Sequence, residues 1–479
     1  MFLSISTREP AFKSSLLCLV HILIAVTIHA TVKPNSLFSS NMVLQQGKPV
    51  PVWGTAPDGE SVTVFFEGKE YRTTAIGSRW KIELFSLRAN DKGQTMTIRG
   101  KDTTISITNI LIGEVWLCSG QSNMYRTLGP QPSRPDITNW MEEKDNANYP
   151  LIRQYTVPML YAATKTDDAN GNWKICSPET VSTFSAVGYF FARDLHKDVK
   201  VPVGIILSAF GGTPAEDWTS RDALNADPEL KKFADHYVEI VSAAYQPKGQ
   251  LISGLYNGMV HPLIPYGIAG IAWYQGEANN VRVHQYELVL SNLINSWRSD
   301  LMQGELPFLI VQIAPHKDMS PELREAQLKV SQRTTNTALI VTTDCGDAED
   351  IHPAYKQPVG ERLARAALAL AYHKQLVYAG PALRSWKIRG SRIMLRFKNS
   401  RHGLKTIDGQ PLKGFTIAGN DHVFIPARVL LKKRSIIVYH PGGHKPTAVR
   451  YGWSNTPEVN LCNNEGLPAS PFRTDGSRN

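Results

Sequence analysis

Glu114-Val-Trp-Leu-Cys-Ser-Gly-Gln-Ser-Asn-Met124 decides how the rest of this chain folds. Its first half is apolar and β-prone over Val115, Trp116 and Leu117, and it then breaks into small and polar residues suited to a turn. A strand that ends this way delivers one hydroxyl to the rim of a sheet. Gly120 can take a backbone conformation closed to other residues, and a serine just past a strand can sit at a helix start, where N–H groups stabilise an oxyanion. Ser122 is therefore the candidate nucleophile. Ser-Gly-Gln-Ser-Asn is equally an ordinary polar loop, so the assignment depends on what other groups the chain supplies.

The composition around this stretch changes twice. Over residues 31–108, short β-rich runs (50–53, 61–66, 71–75, 80–84, 95–99 and 104–108) alternate with turn signals such as Ala56-Pro-Asp-Gly59, which predicts a small β-sandwich. Over 109–374 the rhythm becomes strand, helix, strand. Apolar runs of buried-strand length at 203–208, 268–274, 308–313 and 338–343 are separated by helical stretches at 282–301, 320–334 and 358–372. That alternation predicts a parallel sheet with helices on both faces, whose ligands bind beyond the carboxyl ends of the strands. Segment 125–180, rich in Pro, Asn and Asp, reads as a long irregular wall beside such a site. Residues 375–479 return to β-like runs and predict a second accessory β-rich domain.

Residues 1–30 carry Arg8 and Lys13, then a largely apolar run from 15 to 28 and the small-residue context Ile28-His29-Ala30, which reads as a secretory signal. Its apolar run is short and interrupted by His21 and Thr27, so stable membrane insertion is not expected, and no other stretch is long and apolar enough to cross a bilayer. The expected location is secreted or periplasmic. The formal charge of +10 becomes +9 without this segment, since Arg8, Lys13 and Glu9 leave with it. Lys and Arg are scattered rather than interleaved with aromatics, which argues against a nucleic-acid partner. Beyond Cys18, four cysteines remain (118, 176, 345, 462), an even number that allows one or two disulfides in an oxidising compartment. Their wide separation gives no zinc-site spacing.

A serine nucleophile needs a base and an acid to orient that base. Among 13 histidines, His352 has the most suggestive setting, in Asp344-Cys-Gly-Asp-Ala-Glu-Asp-Ile-His352-Pro directly after the expected strand 338–343. Glu349, three residues earlier, is the first choice for the orienting carboxylate, with Asp350 and Asp347 as competitors. Oxyanion donors are offered at two other strand ends. Gly211 and Gly212 in Ala209-Phe-Gly-Gly-Thr-Pro214 let a backbone N–H approach closely, and Gln275 in Gln275-Gly-Glu-Ala-Asn279 can present a side-chain amide. Four successive strand ends thus each supply one component of a serine hydrolase.

Those four blocks, Gly120-Gln-Ser-Asn-Met124, Phe210-Gly-Gly-Thr-Pro214, Trp273-Tyr-Gln-Gly-Glu277 and Asp350-Ile-His-Pro353, resemble the sialate O-acetylesterase family of SGNH-type hydrolases. Leu37-Phe-Ser-Ser-Asn-Met-Val-Leu-Gln-Gln46 and Glu465-Gly-Leu-Pro-Ala-Ser-Pro-Phe-Arg-Thr-Asp475 extend the resemblance to both ends of the chain. It implies an α/β fold: an SGNH-hydrolase-like parallel sheet flanked by helices, with accessory β-sandwich-type domains at both ends. It also implies an esterase without metal or other cofactor that removes acetyl groups from sugar hydroxyls of an O-acetylated sugar or glycan. By position, Ser122 would attack, His352 would act as base then acid with Glu349 orienting it, and Ser122, Gly211, Gly212 and Gln275 would form the oxyanion hole. SGNH enzymes commonly have Asn and Asp where this chain has Gln275 and Glu349; Gln is familiar in this branch, while the Glu leaves Asp350 open as the alternative acid. Glu277 would brace the site through hydrogen bonds. Competing readings are an acetylxylan or pectin acetylesterase, and a non-catalytic carbohydrate-binding protein on a hydrolase scaffold.

Overall fold

A computed structural model describes Met1 and residues 31–236 and 251–476. The expected signal segment lies outside the described residues. The fold is mixed α/β, with one large mixed sheet and several small antiparallel sheets.

The large sheet is organised on one strand, β1 (Thr104–Gly120), whose 17 residues run without interruption. At about 3.3 Å per residue it spans roughly 55 Å. Its first part pairs antiparallel with Asn90–Arg99, and Leu111 to Gly113 pair parallel with Val43–Gln45. Its last part is the centre of the parallel sheet. The boundary expected at residue 108 therefore falls inside a continuous strand, and the amino-terminal β-structure is joined to the parallel sheet through backbone hydrogen bonds. A separate three-stranded sheet (Lys33–Pro34, Val50–Thr55, Arg79–Leu84) packs on this end.

Beyond β1 the sheet contains β2 (Tyr149–Thr156), β3 (Asn172–Cys176), β4 (Val203–Ala209), β5 (Gly270–Tyr274), β6 (Phe308–Val311) and β7 (Thr337–Ile340), in the spatial order β3-β2-β4-β1-β5-β6-β7. All neighbours are parallel except β3 on β2. Every residue of β4, β5 and β6 is buried, as the continuous apolar runs predict. Alternation then assigns the two faces. Ala272, Tyr274, Leu309 and Val311 join the core with helices α2 (Ala186–Val199) and α5 (Gln357–Leu370). Ile271, Trp273, Phe308 and Ile310 face the other layer, α3 (Val283–Leu301) and α4 (Pro321–Arg333). There, Trp273 meets Trp218 and Trp297 edge-on at 6.0 and 5.6 Å.

Segment 125–180 is more regular than expected, since it holds both β2 and β3. The reason is two buried polar residues in β2 that hide its strand pattern. Arg153 donates to Asn109 Oδ1 at 3.1 Å, and Gln154 Oε1 accepts from Ser185 N–H at 3.1 Å. Ser185 in turn caps α2 by accepting from Gly188 N–H.

The carboxyl-terminal strands form two four-stranded sheets and one two-stranded sheet around their own core, which includes Ile393, Leu395, Ile417, Val438, Val449 and Tyr451. Arg324 on α4 donates to Asn455 O at 2.7 Å and Gln312 to Ser470 Oγ at 2.9 Å, so this part is fastened behind β6. The four described cysteines are buried free thiols, so the disulfides that their even count allowed are not formed. Among the described residues no helix is long and apolar enough to cross a membrane.

Candidate active site

The chain runs from β1 to β2 and β4 on one side of the sheet and then crosses to β5, β6 and β7 on the other. Such a reversal beside the central strand opens a crevice at the carboxyl ends. The ends of β4, β1 and β5 meet there. Gly120, at φ +131°, is required at this point, because a Cβ would lie 2.1 Å from the Tyr274 carbonyl oxygen. The sharp exit sends the chain into a single helical turn, α1 (Ser122–Tyr125).

Ser122 Oγ lies 2.8 Å from His352 Nε2, although the two are 230 residues apart. This separation matters because β7, which leads to His352, is the edge strand, and the following loop must cross the ends of β6 and β5 to reach β1. Two contacts show its route. Gly346 packs so tightly on Pro315 that a Cβ would lie 2.5 Å from that ring, and Lys317 N–H donates to Ala348 O at 3.2 Å. At its destination the loop is held by side chains from the nucleophile's own turn. Asn123 Nδ2 donates to Ile351 O at 3.0 Å, and Arg126 donates to His352 O. One short segment, residues 122–126, therefore carries the candidate nucleophile and grips the backbone on both sides of the histidine.

Asn123 is also the centre of a buried polar cluster. Its Nδ2 donates to Glu277 Oε1 at 2.7 Å and its Oδ1 accepts from Lys356 Nζ at 2.6 Å. Burial pushes the Glu277 carboxyl above its usual range and the Lys356 ammonium down to about 7, and Lys356 also packs 5.3 Å over the Tyr274 ring. The bracing expected of Glu277 is thus seen as a hydrogen bond to Asn123. Asn123, Arg126 and Lys356 are additional to the residues singled out in the sequence. Their signal there was only adjacency to Ser122 and His352, since buried polar pairing is not written in local spacing.

Two expected site residues are placed otherwise. Glu349 is turned into solvent, with 77% of its side chain exposed, and pairs with Lys317 at 2.8 Å. The carboxylate beside His352 is Asp350, whose Oδ1 accepts the His352 backbone N–H at 2.8 Å and lies 3.5 Å from Nδ1. Asp347 Oδ1 accepts the N–H of both Glu349 and Asp350, a local turn that directs residue 350 inward and residue 349 out. Gln275 is fully buried, and both hydrogens of its amide are committed, to Thr213 O at 3.1 Å and Asn279 Oδ1 at 2.7 Å. Its Oε1 accepts from Tyr286 at 3.0 Å. No N–H of this amide remains for an oxyanion, and Gln275 instead holds the loop that follows Gly211 and Gly212. That loop lies against the nucleophile: a Cβ on Gly211 would be 3.3 Å from Ser122 Cβ, and Gly212 turns the chain at φ +73°.

Burial, followed by the charges of Arg134, Lys356 and Arg126, lowers the His352 pKa to about 4, with Asp350 opposing. The neutral, proton-accepting form persists above that value. The kcat/KM for a neutral acetyl ester is therefore expected to stay level from pH 8 down through 6.5 and to fall only as pH approaches 4 to 5. A profile whose acid limb lies at 6.5 would contradict this electrostatic reading.

Residues 112–369, more than half of the chain, match the family described as "Carbohydrate esterase, sialic acid-specific acetylesterase". The sialate O-acetylesterase of Homo sapiens is 28% identical over 491 residues, covering 91% of each chain. That of Rattus norvegicus is 28% identical and covers 91% of this chain and 93% of its own. The crystal structure of a carbohydrate acetylesterase from Xanthomonas citri superposes with a TM-score of 0.84 at 33% identity, over 93% of this chain and 100% of that one. The match to the family spans the parallel sheet and both loops that bring Ser122 to His352, and this chain is an esterase belonging to the sialic acid-specific acetylesterase family of carbohydrate esterases.

Proposed function

We propose that this carbohydrate O-acetylesterase removes acetyl groups from O-acetylated sialic acids by a serine–histidine acyl-enzyme route. The observation that carries the reading is the 2.8 Å contact between Ser122 Oγ and His352 Nε2 at the crevice of the sheet. His352 Nε2 takes the Ser122 proton as Oγ attacks the acetyl carbonyl. The N–H groups of Ser122 and of Gly211 or Gly212 stabilise the negative oxygen that forms, and Gln275 keeps their loop in place. As the tetrahedral intermediate collapses, His352 returns the proton to the departing sugar hydroxyl and leaves an acetyl-serine. Water then loses a proton to the same nitrogen and attacks the acetyl group, and acetate departs as His352 returns that proton to Ser122 Oγ. Asp350, through the His352 backbone N–H and Nδ1, holds the ring in register. We place this chemistry outside the cytosol, on the strength of residues 1–30.

The test is acetate release from an O-acetylated sialic acid and from acetylated xylan in parallel. A preference for the sialic acid is the expected result. Preference for xylan would keep the chemistry and replace the substrate. Release from neither would revive the reading of a carbohydrate-binding protein on a hydrolase scaffold.

A further inference from the structure

Three cations lie near enough to His352 for their charges to act on it: Arg126, Arg134 and Lys356. Two of them are sealed in. Arg126 is 2% exposed and bridges His352 O and Pro135 O, while Lys356 is fully buried on Asn123. Arg134 differs on both counts. It is half-buried, its charge acts on His352, and its hydrogen bond is a long one to Gln131 Oε1 at 3.5 Å. Among the described residues no carboxylate lies within 4.0 Å of it.

The nearby carboxylates are otherwise engaged. Asp350 is held by the His352 backbone, and Glu277 is buried against Asn123. Asp136 is exposed and accepts from Trp140 Nε1 at 3.1 Å. The backbone that carries Arg134 is nevertheless tied to the histidine loop. The carbonyl of the next residue, Pro135, shares the Arg126 guanidinium with His352, and Thr138 N–H donates to Ala354 O at 3.2 Å on the histidine loop. A guanidinium presents five N–H donors in a planar fork that matches a carboxylate, and here most of them are unspent.

We infer that Arg134 is a specificity-determining residue: its guanidinium receives the carboxylate of an acidic sugar while the acetyl ester of that sugar lies at Ser122. This rests on the esterase reading above and narrows it, because neutral acetylated sugars have no group to fill the fork. Binding has a consequence for the base. A carboxylate on Arg134 offsets one of the charges that lower His352, so an acidic substrate raises the proton affinity of the group that must accept the serine proton.

The experiment compares acetate release from an O-acetylated sialic acid with release from the methyl ester of its carboxylate, which keeps the same acetyl group and loses the charge. The native enzyme is expected to prefer the acid by roughly 10- to 100-fold in kcat/KM, the worth of a charge-assisted hydrogen-bonded pair. In Arg134→Gln the ratio of the two kcat/KM values is expected to fall close to 1, through KM for the acid. Arg134→Lys, which keeps the charge without the fork, is expected to recover part of the ratio. Unfolding midpoints of both variants establish that the fold is retained. Native enzyme that hydrolyses acid and methyl ester alike overturns the inference and leaves the esterase reading standing, as does an unchanged ratio in Arg134→Gln. Release from 4-nitrophenyl acetate but from neither sialic acid substrate overturns the inference and leaves the esterase reading standing, whereas failure with all three overturns both.

Discussion

Ser122→Ala is expected to lower acetate release by about 10⁴- to 10⁶-fold while leaving the protein folded. The substitution removes one buried oxygen whose recorded partner is His352 Nε2, so its cost to stability is on the order of 1 kcal/mol. The loss in rate is far larger, because no acyl-enzyme forms without the hydroxyl. Steady-state acetate release with circular dichroism as the folding control measures both effects. Labelling by a serine-directed fluorophosphonate should vanish in the same variant. Retention of more than about 1% of the activity would move the nucleophile elsewhere, for instance to a water activated directly by His352.

Asp350→Asn is the second large effect, expected at roughly 10²- to 10³-fold in kcat. The carboxylate accepts the His352 backbone N–H at 2.8 Å and lies 3.5 Å from Nδ1. An amide in its place can turn its NH₂ toward Nδ1, favouring the tautomer whose Nε2 carries the proton and cannot accept one from serine. The long distance to Nδ1 keeps the expectation below the roughly 10⁴-fold seen for a directly bonded triad aspartate. Glu349→Gln removes only an exposed ion pair with Lys317, and should change kcat less than about twofold and stability by less than about 1 kcal/mol. Finding the two effects in the opposite order would mean that the loop refolds when substrate binds, bringing Glu349 to the ring.

The difference between these two carboxylates illustrates how much of the site could be read from spacing. A carboxylate three residues before a histidine resembles the family pattern, and in the linear sequence Glu349 fits it. Side-chain direction in an irregular loop, however, has no fixed period. Here it is set by Asp347, whose single oxygen holds two successive N–H groups. Gln275 was legible as a polar side chain at a strand end but not as one whose hydrogens are used up behind the loop it was expected to face. Hydrogen-bond partners decide both placements, Asp347 only two and three residues away for the Glu349–Asp350 turn and Thr213, 62 residues away, for Gln275.

The elements carrying strong apolar periodicity were legible to within a few residues. The expected strand 203–208 is Val203–Ala209, and the expected helix 320–334 is Pro321–Arg333. β2 escaped because Arg153 and Gln154 are buried in it with distant partners, which breaks the apolar run by which buried strands are recognised.

By itself, then, the sequence determined the parallel-sheet class, the strand ends where chemistry is presented, and Ser122 and His352 as the pair to test. These depend on local rules, periodicity and turn chemistry that act over a few residues. Tertiary structure alone decided the strand order, which puts the strand leading to His352 at the edge and the strand leading to Ser122 at the centre. It also decided the grip of Asn123 and Arg126 on the histidine loop and the half-burial of Arg134 beside that loop. The physical reason is that buried polar groups must find partners wherever the packed chain brings them, and those partners lie tens to hundreds of residues away.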